Sequence, residues 1–262
     1  VATLAETMAA ADNNIISMRE HVDEEHNMFF CRIELNGPPL PPGIVAKLKT
    51  LLPYGATVTF DPTRVKKLVV LVSKEHHCLA DLLIRNHFNT LPIQILAVVG
   101  NHPGLADITN RFGLPYHFIT HEEKSKQDFE AQIIEQIRSY CPDVLVLAKF
   151  MRILSPEFVA QFSNKILNIH HSFLPAFIGA NPYRKAYERG VKLIGATAHF
   201  VTNDLDEGPI ISQQIIEVNH TYNAAEMAKA GKEVEQAVLA RSLRLVAEDR
   251  VLVWGNKTIV FE

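Results

Sequence analysis

The chain has 262 residues, of which 47% are hydrophobic and 21% charged, with a formal net charge of −3. That length suits one large or two modest domains, and the composition is ordinary for a globular protein. The charge argues against a nucleic-acid surface, which needs a basic stripe, and no apolar run is long enough to span a membrane.

Residues 1–62 read as a separate small domain. Ala2 to Ala11 places Leu4, Met8 and Ala11 on one helical face, and Asp12-Asn13-Asn14 ends that helix. Ile15–Val22 and Asn27–Leu35 are strand-like, joined by Asp23-Glu24-Glu25, which predicts a hairpin. After a stiff proline-rich linker, a helix is expected over Ile44–Leu52 and a strand over Ala56–Phe60. The order αββαβ is a ferredoxin-like βαββαβ unit lacking its first strand. Asp61-Pro62-Thr63-Arg64 marks the boundary.

From residue 63 to 262 strands and helices alternate. Strands are read at Lys67–Val72, Pro92–Val99, Tyr116–Ile119 and Asp143–Ala148. Helices are read at Glu75–Arg85, Pro103–Phe112 and Lys126–Ser139, the last with Phe129, Ile133, Ile134 and Ile137 as its apolar stripe. This is the pattern of a doubly wound, mostly parallel α/β sheet. A long helix over Ala224–Glu248, broken at Gly231, and one short strand close the chain. The three cysteines, Cys31, Cys78 and Cys141, form no CxxC pair, and no basic-then-apolar leader is read, so reduced thiols in the cytoplasm are expected.

Chemistry concentrates in residues 165–213. Strands are read at Lys165–Ile169, Leu193–Val201 and Pro209–Ile216, with a polar turn over Thr202–Gly208. Asn168 and His170 are two apart, so on a strand they face one side, where an amide and an imidazole can both donate to one oxygen. Asp206 can fix the histidine or orient a water. The plainer alternative is a capping asparagine and an ordinary loop histidine. A metal site on His170, His171 and His199 with an aspartate is a further alternative, weakened because adjacent strand residues face opposite ways.

Asn-Ile-His at 168–170, Ser-Phe-Leu-Pro-Ala-Phe at 172–177, Gly179 and Pro182, Gly-Ala-Thr-Ala-His-Phe-Val at 195–201 and Leu-Asp-Glu-Gly-Pro-Ile-Ile at 205–211 together resemble the formyltransferase family that uses 10-formyltetrahydrofolate. The resemblance implies a catalytic trio of Asn168, His170 and Asp206, with His171 and His199 in support. It implies a folate site at Phe150, Met151, Arg152, Ile153 and Leu154, with Val201 on the opposite wall. It implies no metal and no cofactor, since the formylated folate is itself the substrate. The leading domain resembles an ACT domain, a module found before the catalytic domain in the deformylases of this family, and implies a homodimer or homotetramer.

The acceptor is argued from what is missing. The loop Ser73-Lys74-Glu75-His76-His77-Cys78 has no glycine to cradle a phosphate and carries a carboxylate, which disfavours a ribonucleotide. His76 and His77 read as solvated residues of a helix start. Water is then the expected acceptor, giving formate for purine synthesis and for one-carbon balance. Transfer to an amine such as glycinamide ribonucleotide is the alternative, and a non-catalytic folate binder is a further one.

Overall fold

The computed structural model describes residues 1–61, 65–175 and 182–262. Pro62, Thr63 and Arg64 of the expected boundary, and Ala176, Phe177, Gly179 and Asn181 of the motif, lie outside the described residues. The chain divides into two compact units, Val1–Arg64 with Phe261–Glu262, and Val65–Val260.

The first unit runs α1 (Ala2–Ala9), β1 (Asn14–Asp23), β2 (Met28–Asn36) and α2 (Ile44–Leu51). The two strands form an antiparallel hairpin with Val22 opposite Phe29. Asn27 turns the chain in the left-handed region, which asparagine tolerates better than most residues. Met8, Ile44 and Leu48 make a small core, against which Leu4, Ile15, Leu35 and Val58 pack. The strand expected over Ala56–Phe60 is absent. That stretch has no ladder partner among the described residues, and Val58 packs against the small core.

The second unit is a seven-stranded sheet in the order β5-β4-β3-β6-β7-β8-β9. Its strands are β3 (Lys66–Val72), β4 (Ile93–Gly100), β5 (Tyr116–Phe118), β6 (Val144–Leu147), β7 (Ile166–His170), β8 (Leu193–Phe200) and β9 (Ile210–Glu217). The first five are mutually parallel, and β8 and β9 add on antiparallel. Side chains alternate across the pleat. Leu68, Val70 and Val72 of β3 face a core built with α3 (His77–His87) and α8 (Ala224–Ala247). Val69 and Leu71 face a second core built with α5 (Lys126–Tyr140) and α6 (Pro156–Gln161). Helices on both faces explain why these strands read as unbroken apolar runs.

The path runs from β3 outward through β4 to β5, then returns to β6 on the other side of β3. The carboxyl ends of β3 and β6 therefore flank a topological switch point, where open α/β sheets form their ligand crevices.

Three local expectations change. α8 runs unbroken through Gly231. A Cβ there would overlap the Tyr183 ring, so this glycine is a notch for an aromatic ring and not a helix break. The chain closes with a hairpin, β10 (Val251–Trp254) and β11 (Lys257–Val260), instead of one strand. Residues 182–189, for which no element was expected, form α7 (Pro182–Arg189), with Pro182 at its first position, where a missing N–H costs nothing.

Candidate active site

Asn168 and His170 lie on β7 with the parity of Ile166, so both face the same side. Register places Asn168 opposite His199 and His170 opposite Thr197 on the antiparallel β8. Cross-strand neighbours stand in contact range, and the Asn168 amide nitrogen is 3.1 Å from His199 Nε2. His199 Nδ1 lies 2.9 Å from the Phe200 carbonyl oxygen.

Asp206 comes from the loop between β8 and β9. It stands in the left-handed region at φ 59°, which an aspartate accepts at modest cost. Gly208 closes the loop, since a Cβ there would overlap the Phe200 carbonyl oxygen. The closing hairpin braces it, with the Asn256 amide donating to the Glu207 carbonyl at 2.8 Å. Asp206 Oδ1 thereby lies 3.2 Å from His170 Nδ1 and 3.7 Å from His199 Nε2. Burial alone would raise the Asp206 carboxyl. The two histidines outweigh that and hold it well below the usual carboxylate range.

The result is a buried His170 whose Nδ1 is engaged by Asp206 and whose Nε2 has no partner. The three residues singled out from the sequence are thus brought together, with His199 joining Asn168 to Asp206. His199 supports both partners. His171 does not touch Asp206. Its ring stands 5.1 Å from that of His170.

The stretch 150–154 follows β6. Leu154 and Val201, expected on opposite walls, both pack against the same apolar cluster. Met151 and Ile153 are exposed, as is Leu205 of the facing loop, which leaves apolar surface available to a flat ring. Phe150 differs. It is 5% exposed and stacked with Phe129, so its ring belongs to the core, and only its backbone can serve a ligand.

Beside the trio lies a cavity of about 820 Å³ at the switch point. His171, Met151 and Arg152 line it, but Asn168, His170 and Asp206 do not. Its floor carries a cluster that the sequence reading missed. Glu235 of α8, 1% exposed, is 2.8 Å from His77 Nε2, 3.2 Å from Lys149 Nζ and 2.7 Å from the Tyr183 hydroxyl that donates to it. Burial opposes its charge, but these donors win and hold the carboxyl below its ordinary range. His77 is therefore buried and bonded, not the solvated helix-start residue expected, because the buried carboxylate of α8 requires it. The one available signal was Glu235 itself, a carboxylate within the apolar stripe of a long helix.

His77, Cys78 and Glu235 bring potential metal donors within 4.8 Å of one another. The Lys149 ammonium already balances the carboxylate, and burial pushes the Cys78 thiol far up, so it stays protonated. This donor set suits a self-balanced polar cluster better than an ion cradle.

A parallel sheet with its switch-point crevice, an unpartnered histidine nitrogen beside an amide, and a carboxylate behind them define an acyl-transfer site. The chain belongs to the formyl transferase family, whose description matches residues 66–243. It is 49% identical over 247 residues to a formyltetrahydrofolate deformylase of Haemophilus influenzae, covering 94% of this chain and 89% of that protein. It is 45% identical to the formyltetrahydrofolate deformylase of Bacillus subtilis over 258 residues, covering 95% of this chain and 85% of that protein. Among solved structures, a formyltetrahydrofolate deformylase from Pseudomonas syringae pv. tomato aligns with a TM-score of 0.94 at 38% identity, covering 100% of this chain and 89% of that one. A glycinamide ribonucleotide transformylase from Symbiobacterium toebii aligns with a TM-score of 0.73 at 29% identity, covering 80% of this chain and 100% of that one.

Proposed function

We propose that this enzyme hydrolyses 10-formyltetrahydrofolate to formate and tetrahydrofolate. The observation that carries the reading is the unpartnered Nε2 of buried His170, next to the Asn168 amide and backed by Asp206. The formyl oxygen is placed between the two donors. In its imidazolium form His170 donates from Nδ1 to Asp206 and from Nε2 to the oxygen. Water adds to the formyl carbon as Asp206 orients it and receives its proton. The tetrahedral oxyanion is held by Asn168 and His170, a kind of stabilisation worth about 3 kcal/mol per donor. Collapse breaks the bond to N10, which takes up a proton, and formate leaves.

The loop after β3 supports water over a phosphorylated acceptor. Glu75 sits there, half-buried and 2.7 Å from Lys232 Nζ, which holds its carboxyl below the ordinary range. That pairing occupies the Lys232 ammonium with a side-chain carboxylate, so the lysine is not free to hold a phosphate. The folate reading of residues 151–154 with Val201 rests on the exposed apolar side chains of the loop and on the shared cluster beneath it.

The first unit, in this reading, is an ACT-like pairing module spanning residues 1–62, ahead of a catalytic domain from 63 to 262. Its two-stranded hairpin has an outer edge on each strand among the described residues, which suits assembly into a homodimer or homotetramer. A reducing, cytoplasmic setting fits the three free thiols of the whole chain, Cys31, Cys78 and Cys141.

The test is direct. The purified protein with 10-formyltetrahydrofolate and no added acceptor should release formate in proportion to enzyme. Absence of formate, with formyl transfer once an amine acceptor is supplied, would replace the hydrolase by a transferase.

A further inference from the structure

His171 lines the 820 Å³ cavity and is the neighbour in sequence of His170 of the trio. It lies one residue beyond the end of β7, so it is free of the strand's alternation. Its ring is 5.1 Å from His170 on one side and 6.4 Å from Tyr183 on the other. Among the described residues neither of its nitrogens has a hydrogen-bond partner.

Everything around His171 is fixed. The Tyr183 ring lies in the notch left by Gly231, and its hydroxyl is tied to Glu235. Glu235 in turn binds Lys149, whose backbone is in the left-handed region at φ 61°, and His77, whose carbonyl accepts from Gln236 at 3.0 Å. None of these groups lies in the trio, yet Lys149, Tyr183 and Glu235 line the cavity together with His171.

We infer that His171 is a further catalytic residue, accepting a hydrogen bond from the water that attacks the formyl carbon, and that Lys149, Tyr183 and Glu235 are positioning residues that hold it for this role. The cavity gives the second reactant a route to this point, and His171 is the lining residue whose ring lies 5.1 Å from that of His170. Burial, then the Lys149 charge, push the His171 imidazole down to about 4, with His170 adding to the effect and Glu235 and Asp206 opposing it. It is accordingly neutral across the working range, and a neutral imidazole offers a lone pair to water. His171 aligns the water, one water proton passes to Asp206 and on to N10, and the remaining O–H leaves with the formyl group as formic acid, which ionises in solution.

The inference rests on the deformylase reading, and one experiment separates the two. Wild type, His171→Gln and His171→Ala are compared for formate release, for tetrahydrofolate binding, and for partition between water and added hydroxylamine, which yields formohydroxamate. His171→Ala should lose about 10²-fold in formate turnover with tetrahydrofolate affinity unchanged within about threefold. Because hydroxylamine is the stronger nucleophile, its product should fall less, and the hydroxamate-to-formate ratio should rise about tenfold. His171→Gln keeps an acceptor and should recover most of the loss. Lys149→Met should move the acid limb of formate release to higher pH, and Lys149→Met with Glu235→Gln, which removes both opposing charges, should move it back.

If the wild type makes formate but His171→Ala lowers both products equally, or neither, His171 does not handle the water and the inference falls alone. If the wild type makes no formate, the deformylase reading falls and takes the inference with it.

Discussion

Two carboxylates meet histidines at the same end of the central sheet, and they are balanced in opposite ways. Asp206 stands on a loop, 3.2 Å from His170 and 3.7 Å from His199, with no lysine or arginine in contact among the described residues. Glu235 stands in mid-helix, bound by His77 and Tyr183 and charge-balanced by Lys149. A carboxylate balanced by lysine stays balanced at any working pH. One balanced only by histidines depends on where a proton sits, which is what acyl chemistry requires. In the proposed mechanism the same residue pairing is catalytic in one place and positional in the other, and the third partner decides which.

The largest effect should come from breaking the catalytic member. Asp206→Asn should lower formate release by about 10²- to 10⁴-fold while tetrahydrofolate binds as before. Loss of binding in parallel would make Asp206 structural. The same variant reports on stability. Asp206 is depressed in the folded state, so its contribution is fully present above the unfolded value of about 3.9 and is lost as pH falls through the lower folded value. Wild type should then lose more stability than Asp206→Asn on descending below about pH 4, and the two should run parallel at neutral pH.

Breaking the positional member should cost stability first. Lys149→Met leaves Glu235 buried without its lysine counter-charge, and urea unfolding should show a loss of about 3–5 kcal/mol. Lys149→Met with Glu235→Met removes the whole pair and should regain most of it. An equal loss in single and double variants would mean the pair is not coupled.

This contrast also marks what could be read from the chain. The trio was legible because Asn168, His170 and Asp206 sit at the ends of apolar runs within a dense motif. The alternating strands and helices gave the sheet for the same reason, since periodicity is local. Glu235, Lys149, Tyr183 and His77 were not legible, because they come from four separate segments and only packing of α8 against α3 and α7 brings them together. Gly231 was misread as a break because its purpose is the Tyr183 ring, 48 positions earlier in the chain, counted from Tyr183 to Gly231. The strand expected at Ala56–Phe60 had strand-forming residues but no neighbour to pair with, and a partner cannot be read from a segment alone.

Gly231 sharpens the comparison at an intermediate scale. Alanine in a helix interior normally gains about 1 kcal/mol over glycine, but here its methyl group would displace the Tyr183 ring, at a cost of about 1–3 kcal/mol. Gly231→Ala should therefore destabilise, and formate turnover should fall as Tyr183 leaves Glu235. In a Tyr183→Ala background the same change should become stabilising. If its sign does not reverse there, the glycine is not a notch for that ring.

The smallest effect should come from the brace on the catalytic loop. Asn256 is exposed and gives one hydrogen bond, to the Glu207 carbonyl, so Asn256→Ala should cost about 1 kcal/mol at most in global unfolding. Its effect on rate is the more informative quantity. Asp206 is held by a loop in a left-handed backbone conformation and by its two histidines, whereas Glu235 is held by a helix. Loosening the loop should lower formate turnover severalfold with little change in KM, because the carboxylate is misplaced while the proposed folate surface around Met151 and Ile153 is untouched. The equivalent loss of one exposed bond near α8 should leave turnover alone. A carboxylate on a braced loop can be tuned by a distant contact, and one built into a helix cannot, so equal kinetics in Asn256→Ala and wild type would place the control of Asp206 wholly in His170 and His199.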